Sequence, residues 1–397
     1  MTVAILLIST EAQSDYAGIG DTAGLNASDV LKLSGVNVGN FAFKYGMRKL
    51  IGEDVIYTTY RTDPDYVRRN ARALIVAEAN LVNPGIDYGA PAKFIETVDL
   101  PTFCLGIGAQ AGTMGDKITI PAGTLDYLHA VSKRSAGFGV RGAYTKSIID
   151  ELGVSGAQVL GCPSFFINPS RTLWQDVARK IGAEDFSSIA LMEGIYPTGH
   201  PHAEKVSELE RRLFDLVRFR NSDYITQAHP TIMAFAMGDG HMVEDSTLFH
   251  LRKRLAPGMR IPEFRELLAA RSRVHVRIDH WIRDVRRYQA VIGTRIHGTI
   301  MALQAERPAA MISHDSRTSE LCETLQIPVT SLDQAMEVPS VGKFDRLFEK
   351  IAKNTAAQRD DHRIELGRKI RNLMNEMEIP ASPAFNALCD GAPSTAV

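Results

Sequence analysis

Cysteine is scarce in this 397-residue chain, and the four present, Cys104, Cys162, Cys322 and Cys389, are scattered with no pair at metal-finger spacing. That argues against a zinc site built from them and reads instead as small core hydrophobes or incidental thiols of a reducing compartment. An excess of one charge is also missing, since 45 Lys and Arg stand against 46 Asp and Glu for a formal charge of -1. The global field therefore offers no reason to expect nucleic acid or an acidic membrane surface as a partner, and any anion must be captured by a local site. The N-terminal MTVAILLISTEAQSD lacks a basic flank and a cleavage-like ending. Its apolar run is only strand length, so it reads as a first buried strand in a soluble, cytoplasmic protein without a transmembrane segment. There is no phosphate loop, no dinucleotide fingerprint, no serine nucleophile elbow and no His/Asp/Cys group at metal-ligand spacing.

What is present is 45% hydrophobic residues, enough to fill two ordinary domains. Short apolar strands are predicted at Val3 to Ile8, Ala73 to Glu78, Thr102 to Ile107, Ala136 to Val140 and Gln158 to Leu160, alternating with helical stretches. Such alternation indicates an α/β domain, here residues 1–168, and the Asn168-Pro169 turn marks the crossing into a second unit, 169–335. Strands are expected there at Ile189 to Met192, Tyr224 to Thr226 and Val274 to Ile278. The basic face of the helix over Val206 to Phe219 reads as solvated charge. Residues 336–379 read as helices packing on the domains, and the Pro380 to Val397 tail as loose.

One loop and two strand exits carry candidate chemistry. Asn37, Gly39 and Asn40 precede a helix predicted over Phe41 to Ile51, whose first amides can receive an anion, although Asn40 serves equally as a plain cap. Gly106, Gly108, Ala109, Gln110 and Gly112 form a glycine-rich exit that lets backbone approach a ligand, a weak signal by itself. The decisive stretch is AVIGTRIHGTIMALQAERPAAMISHDSRTSEL from Ala290. It reads as a strand, a turn carrying Arg295 and His297, a helix, and a second strand ending at His314 and Asp315. Open α/β sheets bind ligands beyond the carboxyl ends of their strands, and the cationic junction suggests an anion. Arg295 serves equally as a helix-edge ion-pair residue and His297 as a hydrogen-bonded core residue, and the triplet alone does not separate these readings.

GTRIHGTIMAL followed by RPAAMISHDSRTSEL resembles the C-terminal signature of polysaccharide pyruvyl transferases, and VNVGN, CLGIGAQ, GVRGAYTKSIIDELG and VLGCPSFF extend the likeness in order along the chain. The resemblance implies two Rossmann-like domains in a GT-B-like arrangement, with the active site in the interdomain cleft, the first unit on the acceptor side and the second on the donor side. It also implies phosphoenolpyruvate as donor, a sugar hydroxyl pair as acceptor and a pyruvate ketal as product, a reaction of cell-envelope or exopolysaccharide biosynthesis. The family's arginine and histidine carry over to Arg295 and His297 as catalytic and donor-binding residues, with Arg141, Arg317 and Gly298 also on the donor side. Gly39, Asn40, Gln110, Asp15 and His314 fall on the acceptor side or in support. The chain departs from the family where Gly142 follows Arg141 in place of an aspartate, where Arg317 replaces a common lysine, and where His314 replaces a common aromatic residue.

Phosphoenolpyruvate carries a carboxylate and a phosphate, both suited to the planar fork of arginine, with Arg295 the first candidate and Arg141 and Arg317 the others. An imidazole titrates near working pH, which suits His297 to proton transfer or, alternatively, to phosphate binding only. Asp315 and Glu323 are candidate orienting carboxylates; Asp15, Asp21 and Asp29 are candidates for acceptor contacts. No metal or cofactor is called for beyond the donor substrate, and a second copy of the chain, as a homo-oligomer, is a further candidate partner. Glycosyl transfer from a nucleotide sugar in the same architecture, and a noncatalytic carbohydrate-binding role, are the competing readings.

Overall fold

The computed structural model describes residues 4–8, 24–110, 117–181, 186–194, 203–220, 222–338, 344, 346–348 and 355–391, the first of these segments as backbone only. Asp15 and Asp21 lie outside these residues. The first unit holds β1 (Ala4–Ile8), β2 (Val55–Thr58), β3 (Ala71–Ala77) and β4 (Thr102–Leu105) in the order β2-β1-β3-β4. A parallel bridge from Ile107 to Val140 continues this sheet into the pair β5 (Phe138–Val140) and β6 (Ala157–Val159). The second unit holds β7 (Ile189–Met192), β8 (Asp223–Ile225), β9 (Ser272–Arg273), β10 (Ala290–Gly293), β11 (Ala309–Ser313) and β12 (Val329–Ser331). Its order is β12-β11-β10-β7-β8-β9 and every pairing is parallel, the doubly wound Rossmann order.

Parallel sheets are covered on both faces, so their strands read as unbroken apolar runs. All four residues of β7, β10 and β4 are buried, as are all five of β11. In β3 the pleat divides the side chains: Leu74 and Val76 enter a cluster confined to the first unit, while Ile75 and Ala77 join a core that runs on into the second. The helix Asn40–Leu50 joins the two units: it buries Phe41, Phe43 and Met47 and packs against the 3-10 turn Pro163–Phe166 and the helices Ile278–Val285 and Ile296–Gln304. Two Rossmann-like units thus face each other across a cleft, the GT-B-like arrangement expected.

Two expectations fail. The strand predicted over Val274 to Ile278 is only Ser272–Arg273, and a helix begins at Ile278. Alternating apolar residues in VHVRI suggested period two, but Ile278, Trp281 and Val285 form a buried helical stripe that decides the conformation and places Asp279 and His280 in a first helical turn. The tail is not loose between Pro383 and Asp390, where a helix forms. Ser382 caps it by accepting from the Phe385 amide, proline stands in its first turn, and Phe385, Leu388 and Cys389 are buried. Ahead of it, the long helix Ala356–Glu376 clamps the chain between the sheets: Arg363 donates to the carbonyls of Phe165, Asn168 and Ser170, and Asp360 accepts from the amides of Trp174 and Gln175.

Candidate active site

Strand order reverses between β7 and β10, and a ligand crevice is expected beyond their carboxyl ends. Glu193 leaves β7 there, and Thr294 and Arg295 leave β10. Arg295 is the extended residue before the helix Ile296–Gln304, and His297 sits in that helix's first turn. The turn is tight: a Cβ on Gly194 would collide with the Thr294 hydroxyl, and one on Gly298 would lie 2.7 Å from the Met192 sulfur. Gly298 therefore lets the helix pack on β7; it is buried and does not line the pocket, contrary to its expected donor-side role.

A pocket opens at this junction, and the first unit closes it. Arg295 and His297 meet Arg141 from the end of β5, His314 and Arg317 from the end of β11, Asn80 from the end of β3, and Gln227 from the end of β8. Asn37 and Asn40 complete the rim. Asn40 is the first residue of its helix rather than its cap, and its amide donates to the Ser34 and Gly35 carbonyls. The expected anion seat on that helix's amides is already filled. Gly39 N–H donates to Asn37 Oδ1, and the amides of Asn40, Phe41 and Ala42 donate to the carbonyls of Asn37, Val38 and Gly39. Gly39 instead permits close approach of the two units, since a Cβ there would lie 2.8 Å from Gln227 Oε1 and 3.2 Å from His297 Cβ.

The three guanidiniums are not equivalent. Arg295 Nη2 pairs with Glu193 Oε1 at 3.2 Å. The other Glu193 oxygen accepts from the Thr226 hydroxyl and from the amides of Gln227, Ala228 and His229. Burial alone would raise the Glu193 carboxyl pKa, but the Arg295 charge and these donors outweigh it and hold the group below the usual carboxylate range. Arg317 Nε donates to Asp315 Oδ2 at 2.9 Å, and that carboxylate also meets His314 Nε2 at 3.2 Å and the Thr318 amide. Burial opposes ionisation of Asp315 too, yet the His314 imidazole, the Arg317 guanidinium and the Thr318 amide hold its pKa well below the ordinary value. Among the described residues no carboxylate forms an ion pair with Arg141. Its Nη1 donates to Asn80 Oδ1 at 2.9 Å, while Nε and Nη2 are buried without a partner among the described residues. Gly108 makes room for this guanidinium stem, since a Cβ there would lie 2.6 Å from Arg141 Cδ.

His297 is buried, its ring packs on Phe43 at 5.6 Å between centroids, and Nε2 lies 3.9 Å from the Cys162 sulfur. Burial, then the charges of Arg141 and Arg295, push its pKa down to about 3. The imidazole is therefore neutral while the pocket holds no anion. An anion between the two guanidiniums cancels their repulsion and raises the imidazole toward a protonatable range.

Of the remaining expected residues, Gln110 lines the neighbouring cavity of the first unit instead of this pocket. Glu323 is exposed on the helix Ser316–Leu325, and Asp29 closes a capping box with Asn26. Asp315 does orient its neighbours. Sequence reasoning passed over Glu193, Asn80, Thr294 and Gln227, and took Cys162 for a small core hydrophobe or an incidental thiol. A carboxylate directly after the apolar IALM strand was the one available signal, because an acidic residue beside a buried strand end must find partners. Gly142, the departure from the expected Arg-Asp pair, is explained by Glu320 of the second unit: its carboxylate accepts from the Thr145 amide at 2.5 Å and the Thr145 hydroxyl at 2.8 Å, the service a capping aspartate gives to its own helix. Among the described residues no group of three His, Cys, Asp or Glu is placed to hold a metal, and no helix is long and apolar enough to cross a membrane.

A family model described as polysaccharide pyruvyl transferase matches residues 37–316. No curated protein matches the chain. Solved structures of similar shape include a trehalose-6-phosphate synthase, OtsA (9% identity, 95% of this chain and 100% of that one, TM-score 0.46), and S. aureus MnaA with UDP (8% identity, 95% and 97%, TM-score 0.45). Anabaena HepE in complex with UDP and glucose is similar at 12% identity over 94% and 100% of the two chains, TM-score 0.45.

Proposed function

Because the chain belongs to the polysaccharide pyruvyl transferase family, and so transfers a pyruvyl group from phosphoenolpyruvate to a sugar, we propose that the pocket around Arg141, Arg295 and His297 binds the donor and carries out the transfer. The observation that carries this assignment is Arg141. A buried cation with two unmatched N–H groups costs about 1–3 kcal/mol for each, and a doubly anionic metabolite recovers that cost by accepting from both. Arg141 is accordingly the principal anchor, ahead of Arg295, whose fork is already engaged by Glu193. Arg317, held by Asp315, also lines the pocket and is suited to the second anionic group of the donor.

With the donor seated, His297 gains a proton and delivers it to the methylene carbon, which becomes the methyl group. The positive character that develops at the neighbouring carbon is met by a hydroxyl oxygen of the sugar, which forms the first new C–O bond and passes its proton to the now neutral His297 imidazole. Phosphate then leaves with the electrons of its C–O bond, the second hydroxyl closes the ketal, and its proton departs with the phosphate. Gln227 and Thr294, whose buried side-chain polar atoms have no partner among the described residues, are suited to bond to the donor oxygens. Phosphoenolpyruvate is a metabolite of the cytoplasm, which supports a cytoplasmic setting for the reaction.

The test is incubation with phosphoenolpyruvate and a panel of glycans, followed by phosphate release and product mass. A ketal-bearing glycan supports the reading; transfer from UDP- or GDP-sugars with phosphoenolpyruvate left intact overturns it.

A further inference from the structure

Next to the donor pocket, and sharing Asn40, Ala79 and Asn80 with it, lies a larger cavity of about 540 Å³ at the carboxyl end of β3. Its wall contains a carboxyl group that the transfer chemistry above does not use. Glu78 is 9% exposed, the Lys44 charge acts on it, and its hydrogen-bond partners among the described residues are phenols: Tyr127 donates to Oε1 at 3.0 Å, Tyr60 to the same oxygen at 3.2 Å, and Tyr88 to Oε2 at 3.4 Å. The Tyr60 and Tyr127 hydroxyls are themselves 2.9 Å apart. Tyr127 is fully buried behind the group, whereas Glu78, Tyr60 and Tyr88 line the cavity.

Comparison with Glu193 shows what is unusual here. Glu193 also follows a central strand, but three backbone amides hold one of its oxygens and Arg295 holds the other, an arrangement that no ligand displaces cheaply. Around Glu78 the donors are rotatable hydroxyls, and the Tyr88 contact is long for an O–H···O bond. A sugar hydroxyl can enter this network by exchange with a phenol. The same cavity offers ring faces, since Phe43, Tyr60 and Tyr88 line it, and Phe43 packs directly on His297. Asn40, Phe43 and Lys44 share one helical face, so that helix presents the cavity wall and touches the proposed proton donor together. Two carboxyls, Glu78 and Asp87, against one cation, Lys44, give an anionic sugar no net attraction, in contrast to the three guanidiniums of the donor pocket.

We propose that this cavity is the acceptor subsite and that it takes a neutral pyranose, its ring against Phe43, Tyr60 or Tyr88 and its hydroxyls bonded to the Glu78 carboxyl and the Tyr60 and Tyr88 phenols. This rests on the pyruvyl-transfer assignment of the adjoining pocket. Glu78 acts here in recognition and orientation, holding the hydroxyl pair toward the donor.

The test is saturation-transfer NMR on the full chain with methyl glycosides of glucose, galactose and mannose, and with methyl glucuronoside as the anionic counterpart of the glucoside. Phosphoenolpyruvate binding is measured in parallel by calorimetry. At least one neutral glycoside is expected to bind, the glucuronoside to bind more weakly than the glucoside, and Tyr88→Phe and Glu78→Gln each to weaken the sugar by about tenfold while leaving donor binding intact. Tyr88→Phe removes a single oxygen and guards against a folding defect in the buried Glu78→Gln variant; thermal melting checks both. The proposal is overturned if no neutral glycoside binds, if the glucuronoside binds more tightly than the glucoside, or if folded Tyr88→Phe binds sugar as the wild type does. Sugar binding that follows the expected pattern in a protein that does not bind phosphoenolpyruvate sinks the donor assignment and leaves the sugar subsite standing.

Discussion

Glu193 holds Arg295 across 3.2 Å, each leaving a neighbouring strand of the second sheet at the point where the strand order reverses. One Glu193 oxygen faces the guanidinium while the other gathers the amides of Gln227, Ala228 and His229. The ion pair thus ties the exits of β7, β8 and β10 together. Removing the charge should be costly, because a buried pair broken on one side loses about 3–5 kcal/mol. Glu193→Gln is expected to lower the urea midpoint by that equivalent and to loosen donor binding through Arg295. An unchanged midpoint means that the pair does not support the fold.

Arg141 should behave in the opposite way. Its guanidinium is buried with two N–H groups that have no partner among the described residues, so Arg141→Met removes a costly buried charge and is expected to leave stability unchanged or raise it. Donor affinity should collapse, since losing a buried charge partner costs about 2–5 kcal/mol, or roughly thirtyfold and more. Calorimetry with phosphoenolpyruvate beside a thermal melt reads both. A variant that binds the donor normally removes Arg141 from the site.

For His297 the prediction concerns both rate and pH. His297→Gln is expected to lower turnover by about 10²–10⁴. In the anion-free protein its pKa is pushed down to about 3, below the ordinary histidine value of about 6.5 in the unfolded chain. The unfolded state therefore binds the proton first, and the stability tied to the neutral imidazole is present above about pH 6.5 and lost as pH falls toward about 3. The wild type should lose stability across that window more steeply than His297→Gln, and phosphoenolpyruvate, by raising the imidazole pKa in the folded protein, should make that loss smaller. Parallel slopes for the two proteins in urea titrations would contradict the assigned burial.

Gly142 and Glu320 should be coupled. A side chain at Gly142 would collide with Glu320, whose carboxylate caps the helix Ala143–Glu151 through Thr145. Gly142→Asp is expected to destabilise the protein alone and much less when combined with Glu320→Ala, which vacates the space and lets the aspartate cap the helix itself. The coupling energy in a double-mutant cycle should be about 0.5–3 kcal/mol. Additive effects mean that the two positions do not share this role.

The layout of the second unit around Arg295 and His297 was legible because it is local. The strand, turn and helix around Arg295 and His297 occupy consecutive residues, and the apolar runs AVIG and AAMIS can only be strands covered on both faces. The helix at Pro383–Asp390 was missed because its three buried residues are spaced among small and polar ones, and its stability comes from docking near Gly367 and the helix Asn40–Leu50. Val274 to Ile278 was misread because alternation over five residues fits a strand, while the stripe that made Ile278 helical lies further along the chain.

From the amino-acid order alone followed the two α/β units, the cationic turn after β10 and the set of arginines and histidines at strand ends, since strand periodicity and turn chemistry act between near neighbours. The folded chain decided which arginine is left without an ion-pair carboxylate among the described residues, that His297 is held neutral by burial and two guanidiniums, and that Glu78 faces a cavity beside it. Those properties depend on groups tens to hundreds of residues apart, and the electrostatic and desolvation energies that set them exist only once both units have closed around the pocket.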